Sequence, residues 1–364
     1  MARTTTAKAQ MASLLGDNTS GAIGADDVRT VLTSAFNLIE NSPGFLNVKD
    51  FGAIGDGTAD DTVAIQAALN QGAWKTIYFP AGLYRTTAPL TGPAPADAVR
   101  LLGEGGGNTT IRLHGNGTVL ALTDAKFCSI EELTFQHGSG TGSGVIFWGI
   151  NGSNNVDRCY FSINAGGHGL AFSGTDAVSQ SSNRVTRCLF LENGLAQLYM
   201  HRSNDGVIAF NAYGGGTGPY SPAGCHLSHS SAGQYMSNEH WNNVNGLRIE
   251  NSSFLRISNN RFEEARNEGV LATNSPWCQF TGNYLHTNSQ SSSGTYSALR
   301  LGACNNWNIT GNMFMSWNTL RHKHSIEADA TCSAINMVGN MMDHSNGTDI
   351  NTSTAANVTS TGNV

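Results

Sequence analysis

Charge is scarce in this chain. Only 13% of its 364 residues are Asp, Glu, Lys or Arg, where about a quarter is usual. The 20 basic and 26 acidic residues leave a net charge of −6. With no dense Lys/Arg patch to follow a phosphate backbone, no nucleic-acid partner is expected. No apolar run approaches the ~20 residues of a membrane helix, so no membrane insertion is expected. The opening MARTTTAKAQMASLLG lacks the apolar core of a signal peptide, which predicts synthesis in a cytoplasm. Cys128, Cys159, Cys188, Cys225, Cys278, Cys304 and Cys332 are odd in number, widely spaced and without a CxxC pair. That pattern argues against a disulfide framework or a zinc site and predicts buried thiols. No metal or other cofactor is expected.

What fills the surface instead is Ser, Thr, Asn and Gly, with 43 glycines in all. An uncharged surface rich in hydroxyls and amides suits sugars, and it equally suits a structural shaft.

Three segments follow from the pattern: 1–45, 46–100 and 101–364. In 1–45, a turn at Asn18–Gly21 precedes a helix start near Ala25–Asp27. Val28, Val31, Leu32, Ala35 and Leu38 mark one apolar face. A helix this short needs a partner or must fold back on its own chain. In 46–100, the stretch NVKDFGAIGDGTADDTVAIQAAL carries Asp50, Asp56, Asp60 and Asp61 ahead of an apolar helical pattern on Val63, Ile65, Ala68 and Leu69. The acidic spacing does not match a calcium-binding loop, so turn and cap roles are expected, with Asp60 or Asp61 capping a helix from Thr62. The strand KTIYFPAGLYRTT follows, broken by a turn at Pro80 and Gly82.

Residues 101–364 are a repeat array. Short strands return as RCYF, RCLF, TGNYL, TGNMF and VGNMM. An Asn column runs through Asn211, Asn238, Asn260, Asn283, Asn312, Asn340 and Asn363, at intervals of 22 to 29 residues. A second strand recurs as GLAF, QLYM, CHLS, GLRIE, GVLAT, ALRLG and SIEAD. Strands and tight turns at this period predict an all-β solenoid, a parallel β-helix whose coils stack at about 4.8 Å. Phe262, Leu285, Phe314 and Met342 should form one buried ladder, Cys304 and Cys332 should share a column, and the Asn residues should satisfy backbone groups at a bend.

The stretch VKDFGAIGDGTADDTVAIQAAL resembles the opening motif of the pectate-lyase superfamily domain, a right-handed parallel β-helix, and TIYFPAGLYRTT resembles its next strand. The resemblance covers 46–364. Residues 1–45, through LLGDNTSGAIGADDVRTVLTSAF, resemble the short adaptor of phage tail fibre and tailspike proteins. Together they resemble a tailspike. That implies a homotrimer in the virion tail, made in the host cytoplasm, bound to tail or adaptor proteins through 1–45, that binds and often cleaves host surface polysaccharide. A non-catalytic adhesin or structural tail protein and a polysaccharide lyase are the alternatives.

Hydrolysis of a glycosidic bond needs two carboxyl groups, ~5 Å apart for retention or roughly 6.5–9.5 Å for inversion. Neighbouring coils can supply them. Glu239, Glu263 and Glu264 are the expected catalytic residues, with Trp241, His240, Glu268, Tyr213 and Tyr220 binding substrate. Glu250, Glu327 and Asp329 form a second acidic group. Lyase chemistry would turn attention to Arg321–Asp329, where His322 and His324 alternate on one face of an expected strand. Trp148, Tyr199, Trp277, Trp307 and Trp317 are further aromatics for sugar contact or core.

Overall fold

The computed structural model describes Val28 and residues 44–175, 179–215, 223–317, 321–343, 345–352 and 355–364. The helical module expected in 1–45, with its adaptor and trimerisation roles, lies outside these residues apart from Val28 and its last two positions.

Three parallel sheets run the length of the described chain, of 13, 12 and 11 strands. Sheet A runs from Phe45–Asn47 to Ala356–Thr361, sheet B from Asp56–Asp60 to Met341–Met342, and sheet C from Leu90–Thr91 to Ile350–Asn351. After a first coil that carries the helix Thr62–Leu69 in place of a sheet C strand, the chain visits A, then B, then C, and strands pair in parallel with their counterparts one coil away. This is the right-handed β-helix expected from the repeats.

The reason is visible in the strands. They alternate outward and inward side chains, and like stacks on like. On sheet B the inward column runs Phe135, Phe161, Phe190, Tyr213, His240 and Phe262, with consecutive rings 4.5 to 5.7 Å apart and nearly parallel. It continues through Leu285, Phe314 and Met342, the expected ladder. Fully burying each such ring contributes roughly 1.5–3 kcal/mol.

The bend from sheet A to sheet B takes two residues. The first is left-handed, as at Ser237 (φ 54°) and Asn259 (φ 56°). The second is the Asn of the column. Asn238 Nδ2 donates to Asn260 Oδ1 at 3.0 Å and to the Ile208 carbonyl at 3.0 Å. The same pattern links Asn211 through Asn363. The side-chain oxygens also accept the next backbone N–H, so the bend leaves few orphan groups.

All seven cysteines are free and buried. Cys304 and Cys332 do share a column, with the Cys304 N–H donating to Cys332 Sγ at 3.3 Å.

The acidic opening stretch has the turn and cap roles expected. Asp60 Oδ1 accepts the Thr62 N–H at the start of helix Thr62–Leu69. Asp61 instead turns inward and accepts the N–H groups of Ile54 and Gly55. Ile65, Ala68 and Leu69 are buried, whereas Val63 is 81% exposed. The helix is short and only its inner stripe meets the first coils, which leaves Val63 on the far side.

Candidate active site

Two of the three residues expected to hydrolyse a glycosidic bond share one cation. Glu239 and Glu263 lie on the outer face of sheet B in adjacent coils, and Arg261 stands between them. Its guanidinium is 3.9 Å from Glu239 and closer to Glu263. Both carboxylates thus face the same guanidinium. Glu264 follows in the left-handed turn after the strand (φ 49°).

Of the expected binding residues, Tyr213 and His240 belong to the core, at 0% and 1% exposure. Their even position in the strand turns them inward, so neither meets substrate. Glu268 is also buried, accepting from Asn245 Nδ2 at 2.9 Å and facing Arg300 at 3.5 Å. Trp241 is half-buried on sheet B above Gly214. Tyr220 lies outside the described residues.

The segment Arg321–Ser325 is not strand; the strand begins at Ile326. His322 is buried between the hydroxyls of Ser316 and Ser325, and His324 hydrogen-bonds the Thr348 carbonyl at 2.6 Å. Both are tied into the fold. Among the described residues no group of three or more His, Cys, Asp or Glu is placed to hold a metal ion.

The chemistry collects on sheet C. Its strands align as LAFS (170–173), LYMH (198–201), CHLS (225–228), LRIE (247–250), VLAT (270–273), LRLG (299–302) and IEA (326–328). The first and third positions are apolar and face the core. The second and fourth face out. One outward row therefore reads Ala171, Tyr199, His226, Arg248, Leu271, Arg300, Glu327. The other reads Ser173, His201, Ser228, Glu250, Thr273, Gly302 and then Asp329.

Where these rows meet, polar groups from four coils converge. His226 Nε2 lies 2.9 Å from Glu250 Oε2. The carboxylate therefore accepts a hydrogen bond from Nε2–H, which leaves the Nδ1 lone pair available. Arg248 Nε donates to the other Glu250 oxygen at 2.8 Å. Tyr199 stands 5.2 Å from His226, centroid to centroid. His168, delivered by the turn between sheets B and C, stacks on Tyr199 at 4.7 Å. Ser228 Oγ is 3.4 Å from His201 Nδ1 and 3.0 Å from His229 Nδ1.

Burial sets the protonation states. It depresses His226 below its usual 6.5, against the pull of Glu250 in the opposite direction. Burial drives His168 down to about 4, and its Nδ1 accepts the Ala196 N–H at 3.2 Å. Both imidazoles are thus neutral near pH 7. Burial raises Tyr199, so its phenol keeps its proton. Burial also pushes Glu250 upward, yet the bonds from Arg248 and His226 hold it below 4.5 and ionised. The site offers a neutral imidazole base, a phenolic acid and a guanidinium side by side.

Charge continues along the outer face of sheet C. Arg300 lies two coils beyond Arg248, and Glu327 one coil further binds Ser297 at 2.6 Å and Lys323 at 3.3 Å.

Residues 45–138 match the family described as rhamnogalacturonase A/epimerase, pectate lyase-like, and residues 143–300 match the right-handed β-helix region. The chain has the pectate-lyase-superfamily right-handed β-helix fold. Mannuronan C5-epimerase AlgE2 of Azotobacter vinelandii is 46% identical over 77 residues, which is 18% of this chain and 7% of that protein. Further matches from that organism are other mannuronan C5-epimerases and an alginate lyase. The match spans between 4% and 13% of these curated relatives. Among solved structures, the A-module of the A. vinelandii mannuronan C-5 epimerase AlgE6 superposes with TM-score 0.70 at 18% identity, covering 88% of this chain and 99% of that one. The enzymatically active domain of bacteriophage CBA120 tailspike protein 2 gives TM-score 0.66 at 13% identity, covering 85% and 51%.

These findings correct the tailspike reading. Tailspikes share the fold at low identity, while the relatives detectable by sequence are epimerases and a lyase. The glycoside hydrolase, the virion tail location, the homotrimeric spike, and the host-surface and tail-protein partners therefore lose their support.

In the sequence Tyr199 stands out only as one aromatic among several, and His226 and Arg248 do not stand out, because each sits in a different repeat. Aligning the second strands column by column exposes the signal: an outward row in which Tyr, His and Arg follow one another while the inward rows stay apolar.

Proposed function

We propose that the outer face of sheet C is a polyuronate-modifying site of the lyase and epimerase type. Its first step removes the proton at C5 of a uronate unit, next to the carboxylate. The observation that carries this reading is the His226–Glu250 hydrogen bond beside a protonated Tyr199.

In the proposed reaction, Arg248 binds the uronate carboxylate and makes its α-proton more acidic. The Arg248 side chain keeps 38% of its surface exposed while it holds Glu250, which leaves room for a second carboxylate. His226 Nδ1 takes the C5 proton, and Glu250 holds the imidazole in the needed tautomer and stabilises its charged form. The electron pair at C5 is delocalised into the carboxyl group against Arg248. Two outcomes share this intermediate. If Tyr199 returns a proton to the opposite face of C5, the sugar is epimerised. If the pair expels the C4 oxygen, with Tyr199 protonating it, the chain is cleaved and a 4,5-unsaturated uronate forms. Arg300 and Lys323 would hold further uronates along this face. The epimerase and lyase relatives support the same reaction class.

The test is incubation with polymannuronate, polyguluronate and polygalacturonate in heavy water. Deuterium at C5, read by NMR, reports proton removal, and ultraviolet absorbance of the unsaturated product reports cleavage. Exchange without absorbance means an epimerase, and absorbance means a lyase. Neither signal on any of the three polymers overturns the reading.

A further inference from the structure

The outer face of sheet B holds a second group of side chains that chemistry on sheet C leaves unused. Glu263 and His286 are register partners on neighbouring strands. The His286 residue is 8% exposed, and its Nε2 is 2.9 Å from Thr287 Oγ1. That hydroxyl also accepts the Trp317 N–H at 3.3 Å. Nδ1 of the same ring is buried and has no hydrogen-bond partner. Its nearest ionic neighbour, Glu263 Oε1, is 3.9 Å away, too far for a direct bond.

Such a gap suits a group that donates to the carboxylate and accepts from the imidazole Nδ1–H. A hydroxyl does both. The walls fit a sugar ring as well. Trp317 stands edge-on to the imidazole at 4.2 Å and 71°, and 70% of it is exposed. Tyr284 lies alongside, its ring 5.7 Å from His286 and nearly parallel. Flat aromatic surface beside a few placed polar groups is the usual make-up of a saccharide site.

Charge selects the class of sugar. The ionisable groups that act on His286 are Glu263, Glu264 and Arg261, and Arg261 is already shared between Glu263 and Glu239. Glu239 and Glu263 share one guanidinium, and Glu264 adds a third carboxylate near the imidazole. Burial keeps His286 neutral, so it adds no positive charge. A uronate would be repelled here.

We propose that this patch is a second saccharide-binding site, specific for a neutral, hydroxyl-rich glycan and separate from the outer face of sheet C. A ligand hydroxyl bridges His286 Nδ1 and Glu263, and a pyranose face rests on Trp317.

The experiment titrates the full chain with mannohexaose, cellohexaose and xylohexaose, following tryptophan fluorescence and heat. At least one neutral hexasaccharide is expected to bind saturably. Trp317→Ala, at an exposed position that leaves the core intact, and Glu263→Gln should each weaken it by about tenfold or more. Tyr199→Phe should leave it unchanged, which separates this site from the proposed reaction on sheet C. Absence of saturable binding by all three sugars overturns the proposal. So does binding that neither Trp317→Ala nor Glu263→Gln affects, or hexamannuronate competing for the same site. A change of oligomeric state in Trp317→Ala without sugar binding would mark the patch as a contact between copies, and also overturn it.

Discussion

Tyr199 and His226 hold the same register position on adjacent strands of sheet C, with ring centroids 5.2 Å apart and planes tilted by 56°. Twenty-seven residues of sequence separate them, yet one coil step places an acid beside a base. A proton donor and a proton acceptor on one rigid face are what the proposed C5 chemistry requires, and they are fixed by strand pairing.

Replacing either partner should therefore abolish turnover while sparing the fold. Tyr199→Phe and His226→Gln are each expected to lower kcat by about 10²–10⁴-fold on the active polyuronate. Both side chains point away from the core, so urea midpoints should stay close to wild type. Deuterium incorporation at C5 and circular dichroism check the two halves of this statement.

Glu250 should act through His226. Its carboxylate raises the imidazole pKa, against the larger effect of burial. The base must be neutral, so kcat/KM should climb with pH as His226 loses its proton below pH 6.5. Glu250→Gln removes the charge that favours the imidazolium and should move this acidic limb to lower pH, with kcat reduced across the range. A merely structural role would lower activity without moving the limb.

Buried neutral histidines should make the protein acid-sensitive. Burial drives His240 down to about 3 and His322 to about 4. A group depressed in the folded state binds its proton in the unfolded state first. Its contribution to stability is whole above pH 6.5 and is lost as pH falls towards the folded value. Each such group tilts stability by up to about 1.4 kcal/mol per pH unit in that window. His240→Phe should flatten the slope of denaturation free energy between about pH 6 and pH 4, although it strips Tyr235 of its partner at 2.5 Å.

A different window belongs to Arg100 and Glu131. Two hydrogen bonds at 2.8 and 3.1 Å hold the Glu131 carboxyl below 4.5. This stabilisation is present above pH 4.5 and lost as pH falls through the lower folded value. The pair is partly exposed, so Glu131→Gln should cost only about 0.5–1 kcal/mol at pH 7, shrinking at pH 3.

The Asn column should carry more. Asn260→Ala removes bonds to Asn283 and to the Tyr235 carbonyl, and strips Asn238 of the acceptor for both its backbone N–H and its Nδ2. Leaving buried donors without partners costs about 1–3 kcal/mol each. A loss of roughly 2–4 kcal/mol in urea denaturation is expected.

The Asn column, the ladder from Phe262 to Met342 and the shared column of Cys304 and Cys332 were all legible before any coordinates. They are repeats of one residue type at one offset, and a parallel solenoid converts such an offset directly into contact. The site was not legible in that way. Glu250 stood out only as an acidic residue, and Tyr199 only as one aromatic among several. Glu239 and Glu263 drew attention by their closeness to the Asn column, but a shared Arg261 binds them both.

The amino-acid sequence by itself determined the coil: its period, its inward columns and its bends, because these recur and each recurrence reinforces the next. Only the tertiary structure decided which outward side chains meet. Outward positions do not repeat, and their neighbours are set by exact register across coils of unequal length. His226 reaches Glu250 and Tyr199 because the strands of sheet C stack in step while the turns between them absorb the differences in length.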